Sequence, residues 1–410
     1  MSENTKVTAF KAWLTQNGGG FHPQASYIQA ASGLGLIACQ DIPPDEEIVS
    51  CPIELVVSPS LARDAVSRLL GLQDCSLSSR QWISLYLSLH QLVESNDDPE
   101  KCLKHRPYGD ILPSPGDLST PLYFTTEELE RFKGTNLYGA TQDRIRDWQE
   151  EWQECRQLVS QSNPAWGAKF EWKIYLASAT YIGSRAFPSS LLSSDPTLPR
   201  LDSDNDETID PILLPGIDCL NHARGQPVSW ISHSTTKDNG ISKISLVVHR
   251  SVSAGQEIFN NYGPKPNSEL VLSYGFSLAN NPDDSIILKL GGVSGKKWQI
   301  GRLAQGADGL WKEILEAMTD DESTNDYEAI LDASGALQDM VKTSIRRLPA
   351  MDKNPTGQSL RPHVATMLQD YVEGQAATFQ SLLDFAEKKE QEGIALAKEA
   401  GFELVIEDED

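Results

Sequence analysis

The segment 218–276 constrains this chain more than any other. It reads DCLNHARGQPVSW, then the apolar run ISLVVH, then AGQEIFNNYGPKPNSELVLSYGF. Polar and aromatic residues stand between short apolar runs at irregular, loop-like spacing. That is how loops that carry function read, and it differs from the steady period of a helix or strand face. The rest of the chain has to supply a scaffold on which these loops converge.

Upstream, Val7, Phe10, Trp13 and Leu14 recur at helical spacing over 5–16, and Gly18, Gly19 and Gly20 stop the helix. Strand patterns follow at LGLIAC, EIVSC and ELVVS, separated by PPDE and Pro52. From about Ser60 the period changes. Trp82, Leu85, Tyr86, Leu89, Leu92 and Val93 form one apolar face, broken at Asn96, Asp97, Asp98 and Pro99. A second helix carries Ile145, Trp148, Trp152, Cys155 and Val159, and a third carries Trp172, Leu176 and Ala179. The stretch 193–211, SSDPTLPRLDSDNDETIDP, has almost no apolar content and is expected to be a mobile surface loop without chemistry. Further strands are expected at VSWISH, KISLVVH, EIFNN and SIILKL. Past about Gly292 the helical period returns and stays. Val364, Met367, Leu368, Tyr371 and Val372 share a face that continues through Phe379, Leu382, Leu383 and Ala386, and the charge of EKKEQE ends the last helix.

At 410 residues, with 39% hydrophobic and 23% charged residues, the chain is long enough for two or three domains with sizeable cores. No apolar run approaches the roughly 20 residues that span a membrane, and 1–16 lacks the apolar core of a signal peptide. Cys39, Cys51, Cys75, Cys102, Cys155 and Cys219 are scattered without a CxC or CxxC pair. This argues against structural zinc and for reduced thiols, so the expected location is cytoplasmic, nuclear or both, with no membrane contact. A formal charge of -23 argues against direct nucleic-acid binding; it either favours basic partners or simply keeps the protein soluble.

Asp218, Asn221 and His222, then Tyr262 and Gly263, then Asn267, Glu269 and Leu270, and finally Tyr274, Gly275 and Phe276 resemble the paired signatures of a SET-domain methyltransferase. Ser32, Gly33, Leu34, Gly35 and Leu36 resemble that family's N-terminal glycine motif. Any one motif is weak, but three in order are specific. Within the family the chain is similar to the branch of the Rubisco large-subunit and ribosomal-protein lysine methyltransferases. PYGDILPSPGDLSTPLYFTTEELERFKGTNL resembles the helical insert of that branch.

The resemblance implies an α+β fold. A SET domain of small curved sheets with a C-terminal pseudoknot would occupy 1–290, interrupted by a helical insert at about 60–183. A helical domain that helps engage the protein substrate would occupy 291–405. The pseudoknot would bring the LNH and NNYG pieces together.

It also implies S-adenosylmethionine as cofactor and a protein-lysine substrate. Ser32, Gly33 and Leu34 match a backbone strip against which the cofactor lies, where glycine allows close approach; the same glycines would serve a turn. Arg185, in SRAF, matches an arginine that meets the cofactor's carboxylate, although alone it would read as a helix-terminal surface residue. Asn221 matches a residue that holds the cofactor's amino-acid end, and main-chain groups of Asn221 and His222 meet adenine. Tyr262 falls at the catalytic tyrosine. An unperturbed phenol titrates near 10, too high for an efficient base at neutral pH, so the role read for Tyr262 is to orient the amine and the methyl. Tyr274 and Phe276 match residues lining the lysine channel. Asp218 either faces the substrate or anchors its own loop.

The target implied is a basic, non-histone protein, with a ribosomal protein suspected. Histidine methylation is the runner-up, because one relative in this branch modifies actin; that relative lacks the second tyrosine, which Tyr274 supplies here. A non-catalytic SET-like scaffold is the third reading. Pro264 and Pro266 in GPKPN depart from the more basic, proline-free turn of many relatives.

Overall fold

A computed structural model describes residues 4–30, 33–73, 75–98, 100–193, 209–234, 241–291, 295–319, 326–350 and 360–402. Most of the acidic stretch 193–211, and Ser32 of the glycine motif, lie outside the described residues. The chain forms two compact units, 1–118 with 144–264 and 119–143 with 265–410.

In the first unit, helix Thr5–Gln16 buries Val7, Phe10 and Leu14. The chain then leaves the helix through Gly18 at φ 87°. Gly19 lies so close to the next strands that a Cβ there would sit 2.7 Å from Ser50 O. Strands β1 (Gly20–Phe21), β2 (Ala25–Ala30), β3 (Gly33–Ala38) and β4 (Glu46–Pro52) follow. After the helical insert come β5 (Phe187–Pro188), β6 (Pro211–Ile212), β7 (Val228–Ser234), β8 (Ile241–Val248) and β9 (Glu257–Ile258). They make three small antiparallel sheets, ordered β1-β4-β8-β7, β2-β3-β9 and β5-β6. β4 and β8 are central, and Ile48 to Pro52 and Ile244 to Val248 are buried without alternation because both faces are covered.

The expected strand ELVVS is instead a 3-10 turn, Ile53–Leu55, followed by a single bridge from Val57 to Leu213. Pro52 at its start has a fixed φ and no N–H with which to extend a ladder.

The insert begins with helix Pro59–Leu70, capped by Ser58 and ended by Gly71 at φ 67°. Helix Ser79–Leu92 opens on a Ser78/Gln81 capping box. It packs on Trp172–Arg185 through small residues, with Ser88 Oγ 3.0 Å from Ser178 Oγ. Tyr175 to Ile182 are buried all round, so this last helix is central and delivers Arg185 from its C-terminal end. Helix Asn136–Ser162 contributes buried Trp148, Cys155 and Val159.

In the second unit, β10 (Ser285–Lys289) pairs with β11 (Lys297–Gly301). The limit expected at 290/291 falls between the strands of this hairpin, and β11 replaces the helical period expected immediately past Gly292. Ile286, Leu288 and Ile300 join a core with helices Ala307–Met318, Asp326–Arg347 and Pro362–Glu399. A second core joins Phe132 and Leu137 to Val271, Val364, Met367 and Tyr371. The last helix does not end at EKKEQE. It runs to Glu399 because Ala386, Gly393, Ile394 and Ala397 keep a buried stripe while the charges face outward. Among the described residues, no helix is long and apolar enough to cross a membrane.

Candidate active site

Three pieces distant in sequence meet at β3. Its register pairs Leu36 with Ile258 and Ile37 with Glu257, which sets β9 beside the glycine motif. The amide Nδ2 of Asn221 donates to Glu257 Oε1 at 2.6 Å. This bond lies directly across Gly35, where a Cβ would stand 2.8 Å from Glu257 Oε1 and 2.9 Å from Asn221 Nδ2. Glycine is therefore required at 35 by close approach. Gly33, at φ 110°, opens the strand, and Leu34 is half-buried beside it.

The LNH and NNYG pieces run side by side. His222 and Asn260 form a parallel bridge, with Asn260 N–H donating to Asn221 O at 2.8 Å and Ala223 N–H to Asn260 O at 2.9 Å. Two residues on, Tyr262 N–H donates to His222 Nδ1 at 3.0 Å, and the two rings stack at 5.0 Å and 27°. Nδ1 is therefore the unprotonated nitrogen, assigned from this bond, and Nε2 carries the hydrogen of the neutral ring. The Tyr262 hydroxyl donates to Leu220 O at 2.8 Å. Asn260 is fully buried beneath the junction. Its Oδ1 accepts from Trp230 Nε1 at 3.0 Å and from Asn261 N at 2.8 Å, while its Nδ2 has no hydrogen-bond partner among the described residues.

Behind this junction lies a buried charge network. Arg185 Nη1 donates to Asp218 O at 2.7 Å and stands 3.9 Å from Asp218 Oδ2. The Asp218 side chain is closed to solvent; it accepts from the Tyr108 hydroxyl and, at 3.1 Å, from Gly216 N–H. Burial raises the Asp218 pKa above the usual carboxylate range, with Arg185 and the hydrogen bonds opposing. Burial works against the Arg185 charge as well, but Asp218 outweighs it and holds the guanidinium protonated. Cys219 is enclosed, and burial with Asp218 pushes its thiol up to about 12, so it is inert core. Of the two readings for Asp218, this geometry is that of the loop anchor.

Tyr274 and Phe276 belong to the second unit, where their rings meet edge to face at 6.2 Å. Tyr274 closes a π-turn, Leu270–Tyr274, that ends at Gly275 with φ 77°. A Cβ at Gly275 would lie 2.8 Å from Ser119 C. Lys265 Nζ stands 5.6 Å from the Tyr274 ring centre, and burial raises the phenol above its ordinary range. Asn267 is buried and fixed by Asp284 and Leu278.

Sequence reasoning missed Glu257, Tyr108 and Asn260. Glu257 carries one local signal, a charged residue inside a short apolar strand pattern. Tyr108 carries none, since its partner lies 110 residues away.

A description of the SET-domain family matches residues 33–263. The ribosomal lysine N-methyltransferase set10 of Schizosaccharomyces pombe is 33% identical over 282 residues, 67% of this chain and 46% of that protein. The N-lysine methyltransferase setd6 of Xenopus laevis is 26% identical, over 66% of this chain and 57% of that protein. An actin-histidine N-methyltransferase of Drosophila melanogaster is 23% identical, over 70% and 51%. The chain thus spans about half the length of the curated relatives it matches. Among solved structures, the SET domain of LSMT bound to lysine and AdoHcy superposes with a TM-score of 0.73 at 18% identity, covering 95% of this chain and 93% of that one. The fold class is therefore shared: small antiparallel sheets, a helical insert and a large helical C-terminal portion.

Proposed function

The chain belongs to the SET-domain family, and on that premise we propose that it moves methyl groups from S-adenosylmethionine to a lysine amine of a protein. The observation that carries the reading is the His222–Tyr262 junction, which joins the two signature pieces through backbone and side chain at once. The residues fit the cofactor. Gly35 leaves a strand surface without a side chain, Asn221 offers an amide bonded to Glu257, and Asn260 Nδ2 is a buried donor without a partner among the described residues. When bound, the cofactor supplies an electrophilic methyl group on a sulfonium.

In this reading the backbone of Gly33 and Leu34, with Ser32 before it, forms the strip beside the cofactor. Asn221 and the main chain of His222 hold its amino-acid and adenine ends, and Arg185 its carboxylate. Tyr262 orients the incoming amine. A free lysine with pKa near 10.4 is neutral in roughly 4 molecules per 10,000 at pH 7, so deprotonation costs about 4.6 kcal/mol. Burial lowers that cost by disfavouring the ammonium. Tyr274 and Phe276 are assigned to the aliphatic stem of the target lysine on the family resemblance alone. Asp218 holds the loop that carries Leu220 to His222.

The formal charge of -23 and the likeness to a ribosomal lysine methyltransferase support a basic, non-histone target in the cytoplasm or nucleus. The test is transfer of labelled methyl groups into lysate proteins, followed by amino-acid analysis of the labelled band. Methyl-lysine on a basic protein is expected. Methyl-histidine would select the activity named for the Drosophila relative instead, and absence of label from every protein would contradict both.

A further inference from the structure

On the sheet β1-β4-β8-β7, three side chains meet that take no part in methyl transfer. Asp45 sits in the turn before β4, at φ 65°, with its N–H donating to Val248 O at 2.7 Å. His249 follows β8, and its N–H donates to Pro227 O at 2.9 Å. Ser229 lies on β7 opposite Val247. The neighbouring strands bring the three into line. His249 Nδ1 is 2.7 Å from Asp45 Oδ1, and His249 Nε2 is 2.8 Å from Ser229 Oγ.

The partners fix the direction of both bonds. A carboxylate can only accept, so His249 Nδ1 carries the hydrogen. In the neutral ring Nε2 then keeps its lone pair, and the Ser229 hydroxyl donates to it. A hydroxyl with a base at its proton, and a base whose tautomer is set by a carboxylate, is the arrangement that makes serine a nucleophile. The backbone supplies one further group. β7 is the edge of its sheet, and the bond from His249 N–H to Pro227 O means that the N–H groups of Val228 and Trp230 point away from β8. Trp230 N–H, directly after the nucleophile, is the donor available to a developing oxyanion.

We propose that Ser229, His249 and Asp45 form a second catalytic site, one that hydrolyses activated esters. Ser229 and His249 are the catalytic residues, and Asp45 is a positioning residue that acts through His249. Ser229 Oγ bonds to the acyl carbon as its proton passes to His249 Nε2. The bond from that carbon to the leaving oxygen breaks, and the alcohol departs with the proton. Water then repeats the exchange, which releases the carboxylic acid and restores Ser229. Side-chain exposure is 36% at His249 and 76% at Asp45. An ester can therefore reach the pair from solvent, but so open a site offers few contacts, which confines it to small esters with good leaving groups. This activity is independent of methyl transfer.

The experiment treats the full chain with a fluorophosphonate, whose serine adduct is stable, and finds the labelled peptide by mass spectrometry. Turnover is followed with para-nitrophenyl acetate. Label is expected on Ser229, formed about 100-fold faster than in His249→Gln. Release of nitrophenolate is expected to pass one equivalent per chain, with most of it absent from Ser229→Ala. Asp45→Asn keeps a residue type that tolerates the left-handed backbone, but its amide can donate to Nδ1 and reverse the tautomer. Labelling is expected to slow about tenfold or more in this variant, while the denaturant midpoint stays close to that of wild type. A wild-type chain without label on Ser229 overturns the proposal whether or not the variants fold. Equal labelling rates in wild type and His249→Gln, or in wild type and Asp45→Asn, also overturn it, and the three residues then only tie the turn at Asp45 to the sheet.

Discussion

The backbone N–H of Tyr262 donates to Nδ1 of His222 at 3.0 Å, and the Tyr262 hydroxyl donates to Leu220 O at 2.8 Å. Tyr262 is thus fastened at both ends to the same short segment, and its ring lies along it. Replacing His222 by Phe keeps a ring to stack but removes the acceptor. The expected result is a stability loss of about 1 kcal/mol in denaturant unfolding. Turnover is expected to fall about tenfold or more as Tyr262 loses its alignment.

Asp218 is the second such fastening, and it is buried. Asp218→Asn removes the charge beside the largely buried Arg185 guanidinium, which keeps its bond to the residue-218 carbonyl. A loss of about 2–4 kcal/mol is expected in unfolding experiments. Tyr108→Phe, which removes the hydroxyl donor to the same carboxylate, is expected to cost about 1–3 kcal/mol. Neither variant should abolish folding, so cofactor affinity can be measured in both.

Gly35→Ala tests the strip at β3. The new methyl group would stand 2.8 Å from Glu257 Oε1 and 2.9 Å from Asn221 Nδ2, so that bond has to break or the strand has to shift. Affinity for S-adenosylhomocysteine is expected to fall about tenfold, more than the stability change accounts for. Wild-type affinity in this variant would show that the strip does not meet the cofactor.

Acid should destabilise the first unit before carboxylates titrate. His105 is enclosed, with Nδ1 bonded to the Tyr86 hydroxyl and Nε2 3.1 Å from Leu55 O. Burial lowers its pKa from 6.5 to about 3. The same cause lowers that of its neighbour His90 from 6.5 to about 4. Both folded values lie below the unfolded one, so the unfolded chain binds more protons, and stability is full above pH 6.5 and declines as pH drops below it. The slope should approach about 1.4 kcal/mol per pH unit for each histidine. Denaturant midpoints at about pH 7.5 and pH 5, compared between wild type and His105→Gln, check this. Stability that is flat or rising on acidification would contradict it.

What was legible in the sequence follows element length. Helices Thr5–Gln16, Ser79–Leu92, Asn136–Ser162, Trp172–Arg185 and Pro362–Glu399 announced themselves through apolar stripes, as Val7, Phe10 and Leu14 did for the first, whereas Pro59–Leu70, Ala307–Met318 and Asp326–Arg347 were covered only by a general change to a helical period. Strands β1, β5, β6 and β9 are two residues each, too short to show any period. ELVVS had strand composition, but Pro52 imposed a turn. EKKEQE looked like a helix end, because its charge hid a stripe that resumes at Gly393 and Ile394.

Within the site, Asn221, His222 and Tyr262 were legible because their residue types recur in ordered motifs. Glu257 and Tyr108 were not, because each acts through a partner 36 or 110 residues away.

The central claim is that Tyr262 aligns a lysine amine for methyl transfer, and one comparison tests it most directly. Wild type and Tyr262→Phe are each given labelled S-adenosylmethionine and a lysate, with S-adenosylhomocysteine affinity measured in parallel. The variant loses only the hydroxyl that donates to Leu220 O. The account predicts methyl-lysine with the wild type, a loss of about 100-fold or more in rate with the variant, and cofactor affinity within about threefold of wild type. Equal rates of methyl-lysine formation by the two proteins would contradict it.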